Sequence, residues 1–260
     1  MALAGVRVFS CAFARYFMLE LRNPHSILAA IQRRPRGVKA LRLQSSHPPE
    51  PWDALARLAQ QKSIPITLQS HDDRRGSAPR RETERTGAGS ALLEPPSPIP
   101  LEQLLQPGDA PRGLWLALDQ IQDPQNLGAL FRLAGFFGVR GILLTKDRSA
   151  PVNSTVCDVA AGGVEHVPFS VVANLAQSLQ RASEAAIWIL GTCERATSSI
   201  HQIPRDRSWM LVLGNEGSGM RRLSRERCDQ LAALPPLGPV PSLNVAAAAA
   251  ACLAVLTRPD

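Results

Sequence analysis

The sequence LVLGNEGSGM, residues 211–220, contains the pattern that decides the fold of this chain. It begins with a short apolar run typical of a buried strand, and its glycines predict a tight turn at the carboxyl end of that strand. The turn has neither the spacing of a dinucleotide-binding GxGxxG motif nor the Lys-Ser/Thr pair of a P-loop. A glycine turn alone is a weak sign of a ligand site, so its interpretation depends on the surrounding segments.

These surrounding segments alternate between apolar runs and helical patterns from residue 112 onward. The spacing predicts buried strands at 114–118, 141–145, 187–191 and 210–213, and helices at 127–137, 171–184, 223–230 and 242–256. Such alternation is typical of an α/β fold with a parallel sheet covered on both faces. Ligands of such sheets bind outside the carboxyl ends of the strands, where the glycine turn is predicted to lie.

Two further motifs precede and follow this turn. In DPQNLGALFR, residues 123–132, Asp123 can cap a helix whose apolar stripe leaves Asn126 and Arg132 on other faces. In PSLNV, residues 241–245, Ser242 is a good N-cap for a helix that contains a run of consecutive alanines. Each motif by itself is also consistent with an ordinary packed helix.

In this order and at these separations, DPQNLGALFR, LGNEGSGM and SLNVAAA resemble the three signature motifs of the SpoU/TrmH family in the SPOUT superfamily. RSAPVNSTVCDVAAGGVEHVPF, between the first two, resembles the family as well, and the likeness extends over about residues 113–256. It implies an RNA 2′-O-ribose methyltransferase that binds S-adenosyl-L-methionine in a deep trefoil knot, acts as a homodimer and needs no metal.

The resemblance also implies roles for individual residues. Those expected in the catalytic centre, with the first two facing the ribose and phosphate of the target, are Asn126, Arg132, Glu216, Ser242 and Asn244. Those expected to contact the cofactor, mainly through backbone, are Gly191, Thr192, Gly214, Leu234 and Leu243. One departure is Ala246, where the family commonly has a serine, and the missing hydroxyl puts the fine positioning of this motif in doubt.

The charge balance favours a polyanionic partner. Lys and Arg number 29 against 22 Asp and Glu, with a pI near 9.8. Aromatic residues make up only 5% of the chain, which argues against base stacking as the main mode of RNA recognition. Basic residues predicted to contact the RNA backbone are Arg33, Arg34, Arg36, Lys39, Arg221 and Arg222. A solvated basic surface is an equally good interpretation of the N-terminal cluster.

Composition divides the chain into three parts. Residues 18–80 are predicted to form a small α/β RNA-binding domain, with helices at 24–31 and 52–61 and strands at 38–43 and 64–68, Asn23 being the N-cap of the first helix. Residues 81–111 are predicted to be a Pro/Gly/Arg-rich linker closed by a short helix at 100–106, and residues 112–260 the methyltransferase domain. Residues 21–93 resemble the ribosomal-protein-like substrate-binding domain of rRNA-modifying family members.

The cysteines, the apolar runs and the N-terminal segment limit which further sites and locations are expected. The five cysteines are scattered without metal-ligand spacing, so neither a zinc site nor a disulfide framework is expected. No apolar run is long enough to cross a membrane. We expect a cytoplasmic protein that begins at Met18, or a mitochondrial or other organellar one if residues 1–17 are a targeting peptide.

Several functions fit the motifs. A guanosine of large-subunit rRNA is the expected target by family analogy, and a tRNA 2′-O-methyltransferase is the alternative within the same chemistry. A non-catalytic RNA-binding or ribosome assembly factor is the alternative from another class. A nicotinamide dehydrogenase is excluded because the chain lacks the phosphate-binding fingerprint.

Overall fold

The computed structural model describes residues 18–68, 88–106, 108, 112–215 and 217–258. Its strands, in chain order, are β1 (Leu19–Leu21), β2 (Val38–Leu43), β3 (Ile66–Leu68), β4 (Gly89–Leu93), β5 (Leu114–Asp119), β6 (Gly141–Thr145), β7 (Phe169–Val172), β8 (Trp188–Thr192), β9 (Ser198–Ser199), β10 (Trp209–Gly214) and β11 (Gln230–Ala233). Its helices are α1 (Pro24–Arg33), α2 (Trp52–Gln61), α3 (Leu101–Leu104), α4 (Pro124–Phe136), α5 (Ser154–Ala160), α6 (Gly163–His166), α7 (Leu175–Glu184), α8 (Arg222–Glu226) and α9 (Val245–Leu256). The segment 1–17 and Glu216, both named in the sequence predictions, lie outside the described residues.

Strands β5 to β11 form a seven-stranded sheet in the order β7-β6-β5-β10-β8-β11-β9. Every neighbouring pair in this sheet is parallel. The predicted α/β fold with a parallel sheet is therefore confirmed. The chain runs outward from β5 to β7 and then crosses to β8 on the other side of β5. The carboxyl edge beside this switch in direction is the expected ligand position.

All four predicted helices in this part begin or end at other residues, and two of them differ the most. The helix expected to begin at 171 begins at Leu175, because the side chain of Asn174 caps it by accepting a hydrogen bond (3.1 Å) from the N–H three residues later. The helix expected to end at 230 ends at Glu226, and Gln230 already begins β11. Apolar residues at such boundaries suit either element, so periodicity alone places the boundary poorly.

The N-terminal sheet has the order β1-β4-β2-β3, with β4 antiparallel to both of its neighbours. Since β4 lies inside the predicted linker 81–111, that prediction is wrong over Gly89–Leu93. A Cβ at Gly89 would meet the carbonyl oxygen of Arg42 at 2.6 Å and the ring of Trp52 at 2.8 Å. Close packing therefore requires here a residue that normally indicates a loop.

The other N-terminal elements agree with the sequence. Helix α1 begins at Pro24 after its N-cap Asn23, whose side-chain oxygen accepts a hydrogen bond from the N–H of His25 at 2.9 Å. Strand β2 and helix α2 have the predicted bounds. The predicted strand at 64–68 is shorter, as β3. Local capping and alternation were sufficient to place these elements.

The start of α1 is attached to α5 by hydrogen bonds. The carboxylate of Asp158 accepts from the backbone N–H of Arg22 (3.0 Å) and of Asn23 (2.9 Å). The side-chain amide of Asn23 donates to the carbonyl of Asp158 (2.8 Å), and the hydroxyl of Ser26 donates to the carbonyl of Cys157 (2.6 Å). Burial raises the pKa of Asp158 above its usual value, against the two N–H donors that stabilise the carboxylate.

An ion pair forms a second attachment between the N-terminal and C-terminal parts. The guanidinium of Arg34 donates two hydrogen bonds to the carboxylate of Glu165, both at 2.7 Å, and a third to the carbonyl of Glu94 at 2.6 Å. The two side chains are 24% and 6% exposed. Arg34 was predicted to contact RNA. The structure places its donors on protein partners, and its contact with RNA stays a prediction.

We expect Arg34→Ala to lower the free energy of unfolding by about 3 kcal/mol, because it leaves a buried carboxylate on Glu165 without its partner. The measurement is a urea-unfolding curve of the full chain. Arg33→Ala is the matched control, because Arg33 is the exposed neighbour on the same helix, and its effect should stay within about 0.5 kcal/mol. Equal midpoints for the two variants would show that the ion pair does not hold these parts together.

Candidate active site

A cleft of about 780 Å³ opens at the carboxyl ends of β8, β10 and β11. Its walls are the residues after β8, the glycine turn after β10, the proline-rich segment 235–241 and the first turns of α9. Four of the five residues predicted to contact the cofactor line this cleft: Thr192, Gly214, Leu234 and Leu243. The fifth, Gly191, is buried beside Thr192 and is not among the lining residues.

The glycine turn is closed by its own hydrogen bonds and is attached to the residue that follows β5. The backbone of Asn215 and that of Gly219 exchange hydrogen bonds of 3.2 Å and 2.9 Å. The side-chain oxygen of Asn215 accepts from the N–H of Gly217 (2.9 Å), and its amide donates to the carbonyl of Gln120 (2.9 Å) at the end of β5. The sequence predicted the turn itself, whereas the attachment to β5 required the sheet order.

A buried carboxylate connects the same two segments. Asp119 is fully buried at the end of β5, and its oxygens accept from the backbone N–H of Arg221 (3.0 Å) and from its Nε (2.7 Å). Arg221 was predicted to contact RNA, and the structure instead gives its guanidinium a carboxylate partner. Arg222, the other predicted RNA contact in this segment, is exposed and pairs with Glu226 one helical turn later. Both residues therefore have partners within the chain.

The first and third motifs meet through their asparagines. The side-chain amide of Asn244 donates to the side-chain oxygen of Asn126 at 2.9 Å, although the two are 118 positions apart. The side-chain oxygen of Asn244 also accepts from the N–H of Ala246 (2.9 Å), so it is Asn244 that caps α9. The prediction that Ser242 is the N-cap is wrong. Ser242 is exposed in the loop before the helix, where it lines the cleft.

Arg132 lies on the exposed side of α4, as predicted, about 9 Å along the helix axis from Asn126. Within the described residues it forms no hydrogen bond or ion pair. Neither Arg132 nor Asn126 lines the cleft. Because Asn126 is hydrogen-bonded to Asn244, and Leu243 lines the cleft, the start of α4 lies beside the mouth of the cleft. Glu216 belongs to the same turn in sequence but lies outside the described residues.

Two of the thiols near the cleft, those of Cys228 and Cys252, are not activated. Burial raises the pKa of the Cys228 thiol to about 12, and the neighbouring carboxylate of Asp229 adds to this. Burial alone raises the pKa of Cys252 to about 12. A thiolate is the nucleophilic form of cysteine, so these two side chains act as packing groups and not as nucleophiles.

The N-terminal basic residues differ in their availability. Arg33 and Arg36 are exposed. Lys39 pairs with Glu94 at 2.8 Å and donates to the carbonyl of Arg36 at 3.0 Å. The predicted site residues did not include two arginines at the cleft, Arg195 and Arg225, because neither lies in one of the quoted motifs.

The described residues contain neither a metal-binding cluster nor a helix that could span a membrane. Among them, no group of three or more His, Cys, Asp or Glu side chains is arranged to hold a metal ion. Within the same residues, no helix is long and apolar enough to span a membrane.

Comparisons with known proteins agree with this geometry. The SpoU rRNA Methylase family matches residues 113–254. The 23S rRNA (guanosine-2′-O-)-methyltransferase RlmB of Bordetella pertussis is 35% identical over 232 residues, which are 88% of this chain and 92% of that protein. The protein of the same name from Pseudomonas aeruginosa is 36% identical over 242 residues, 90% of this chain and 94% of that one.

A solved structure shows the same fold. The SpoU methyltransferase AviRb from Streptomyces viridochromogenes, in complex with the cofactor AdoMet, superposes with a TM-score of 0.76 at 21% identity, covering 93% of this chain and 89% of that one. The family match covers more than half of this chain, and the sequence relatives match over more than nine-tenths of their own length. This protein therefore belongs to the SpoU rRNA methylase family.

Proposed function

We propose that this protein transfers the methyl group of S-adenosyl-L-methionine to the 2′-hydroxyl of a ribose in RNA, and that the target is a guanosine of 23S rRNA, as the names of its relatives state for them. The observation that carries the proposal is the hydrogen bond between Asn126 and Asn244. It brings the first motif to the mouth of a cleft that the second and third motifs form.

The cleft fits the cofactor. Its volume of about 780 Å³ lies in the range of small-molecule sites. Leu213, Leu234 and Leu243 supply apolar walls for a purine, and the turn at Gly214 exposes backbone groups that can bind its polar edges. When bound, S-adenosylmethionine supplies a methyl group already activated on a sulfonium, so the reaction requires no metal.

The task left to the chain is to prepare the nucleophile. A ribose 2′-hydroxyl is a weak acid, so the site must align it and disperse its proton. Asn126 and Asn244 hold each other in place, which suits them to position the ribose. The guanidinium of Arg132 stays protonated in proteins and cannot be the base. We assign Arg132 an electrostatic role at the target phosphate, with that phosphate or water as the proton acceptor.

The wider assembly is part of the proposal. We propose that the carboxyl-terminal region of the sheet forms the trefoil knot of the family and that the protein acts as a homodimer. Support for the dimer comes from apolar groups left on two packed helices: Phe136 on α4 is 81% exposed, and Ala247 and Ala254 on α9 are exposed. Apolar side chains in such positions suit a protein interface.

The N-terminal part and the location complete the proposal. We propose that the N-terminal sheet and its helices bind RNA, with Arg33 and Arg36 as exposed contacts and Lys39 at their edge. We also propose that the protein works in the cytoplasm, because the relatives that it resembles are named for bacterial 23S rRNA.

The test is transfer of labelled methyl from S-adenosylmethionine to unmodified total rRNA and, separately, to tRNA. We expect label in rRNA alone, recovered as a 2′-O-methylated guanosine. Label in tRNA alone would support the proposed reaction and contradict rRNA as the substrate. No label in either, with cofactor binding intact, would favour the non-catalytic assembly factor.

We expect the cofactor to protect Cys193, which lines the cleft and is partly exposed, from alkylation by a maleimide at pH 8. Burial raises the pKa of Cys157, Cys228 and Cys252 to about 12, so these thiols should stay unlabelled in the folded protein. The measurement is mass spectrometry of peptides from a Cys11→Ser background. Equal labelling of Cys193 with and without S-adenosylmethionine would place the cofactor elsewhere.

A further inference from the structure

A second cavity adjoins the cleft. It has a volume of about 710 Å³ and lies on the outer side of β9 and β11. Of the residues that the structure describes, Arg195 and Arg225 alone line both cavities. Arg195 follows β8, and Arg225 lies in α8. The two side chains thus mark the saddle between the cleft and the space into which a bound polymer could continue.

These two guanidinium groups have no partners in the described part of the chain. Neither Arg195 nor Arg225 forms a side-chain hydrogen bond or an ion pair there. Acids are present among the lining residues, as Glu194 and Asp229, but neither lies within ion-pair distance of the two arginines. One carboxylate oxygen of Asp229 already accepts from the N–H of Ile189 at 2.7 Å.

Other arginines nearby show the opposite behaviour. Arg221 pairs with Asp119 and Arg222 pairs with Glu226, although both are close to Arg225 in sequence. Among the described residues, the arginines beside the glycine turn are therefore paired, whereas the two at the saddle keep their donors available. An exposed guanidinium offers a planar fork of N–H donors that matches the oxygens of a phosphate.

The charge of the cofactor helps to identify the occupant. S-adenosylmethionine carries a sulfonium, an ammonium and one carboxylate, so its net charge is positive. Two guanidinium groups on the wall of its cleft, without partners among the described residues, oppose that charge unless an anion binds between them. The RNA backbone, which the proposed function brings to this cleft, is such an anion.

We propose that Arg195 and Arg225 clamp a backbone phosphate of the RNA substrate at the saddle, and that the RNA strand continues into the second cavity. This inference rests on the proposed function, because it assumes RNA as the substrate. It adds a phosphate-binding site on the transferase part of the chain, separate from the basic residues of the N-terminal part.

The test compares the wild type, the double variant Arg195→Ala/Arg225→Ala and the control Arg181→Ala. Arg181 lies on α7, pairs with Glu102 of α3 and lines neither cavity. Equilibrium binding of an unmodified 23S rRNA transcript is measured over a series of salt concentrations, without catalysis. We expect the double variant to bind at least tenfold more weakly and to lower the salt slope by about 1, because one backbone phosphate loses its cationic partners. The double variant Arg195→Lys/Arg225→Lys should recover most of the slope, because it keeps both charges.

Cofactor binding and turnover are measured on the same proteins. We expect the affinity for S-adenosylmethionine to stay unchanged, the KM for RNA to rise and kcat to change less than KM. A salt slope equal to that of Arg181→Ala would overturn the clamp. So would weaker cofactor binding with an unchanged slope, which would assign the arginines to the cofactor. Wild-type protein that binds RNA but transfers no methyl group would overturn the proposed function and leave the phosphate site standing.

Discussion

Replacing Arg132 with alanine is expected to reduce the kcat of methyl transfer to RNA by about a hundred- to a thousandfold. Its guanidinium is exposed on α4, beyond Asn126, and it forms no ion pair within the described residues. Because it has no partner among those residues, we assign this charge to the phosphate beside the reacting ribose. Single-turnover transfer of labelled methyl, with saturating RNA and cofactor, measures the change directly.

The variant Arg132→Lys separates the contribution of positive charge to turnover from that of the guanidinium shape. Arg132→Lys keeps the positive charge but loses the fork of donors that binds a phosphate at two points, so we expect it to remain at least tenfold below the wild type. Arg181→Ala, which removes an arginine that pairs with Glu102 and does not line the cleft, should leave kcat unchanged. Nearly full turnover by Arg132→Lys, together with unchanged RNA binding, would show that a fixed guanidinium fork is not needed.

Gly214→Ala is expected to abolish the rise in Tm that S-adenosylmethionine produces and to lower the Tm of the protein without cofactor. A Cβ at this position would lie 2.2 Å from the backbone nitrogen of Met220 and 2.3 Å from the backbone carbon of Gly219. Backbone atoms cannot rotate away as a flexible side chain can, so the turn must open. Opening the turn removes one wall of the cleft.

The same turn supplies a matched control. A Cβ at Gly217 would find its nearest neighbour, the side-chain oxygen of Asn215, at an ordinary contact distance of 3.6 Å. Gly217→Ala should therefore keep a Tm close to that of the wild type, measured by differential scanning calorimetry. A normal cofactor-induced rise for Gly214→Ala would mean that the cofactor does not depend on the closed turn.

The sequence predicted those parts of the fold whose cause is local. The apolar run before Gly214 and the cap at Asn23 each depend on residues within one turn or strand, and both elements are found where they were expected. The strand Gly89–Leu93 was missed because its partners β1 and β2 are distant in sequence. Its residues are similar in composition to those of the surrounding linker, so its pairing in the sheet is what identifies it as a strand.

In the candidate site, too, the sequence predicted the features with local causes and missed those that depend on distant residues. The motifs located Asn126 and Asn244, but their hydrogen bond spans 118 positions and follows from the packing of α4 against α9. The pairing of Arg221 with Asp119 depends on β10 lying next to β5, which no local pattern encodes. The sequence alone does not distinguish an arginine that pairs with a buried carboxylate from one whose donors remain available for a phosphate. The difference depends on whether a pairing partner, distant in the sequence, lies beside the arginine in the fold.

The pair of Arg34 and Glu165 also limits which substitutions this chain can accept during evolution. The two residues are 131 positions apart, and losing either one alone leaves its partner buried without compensation. Substitutions at these positions are therefore expected to occur together among relatives that keep both parts of the chain. In relatives that have lost the N-terminal part, nothing would require Glu165 or Asp158 to be kept. We therefore expect these two positions to vary in such relatives, while Asn126 and Asn244 remain unchanged.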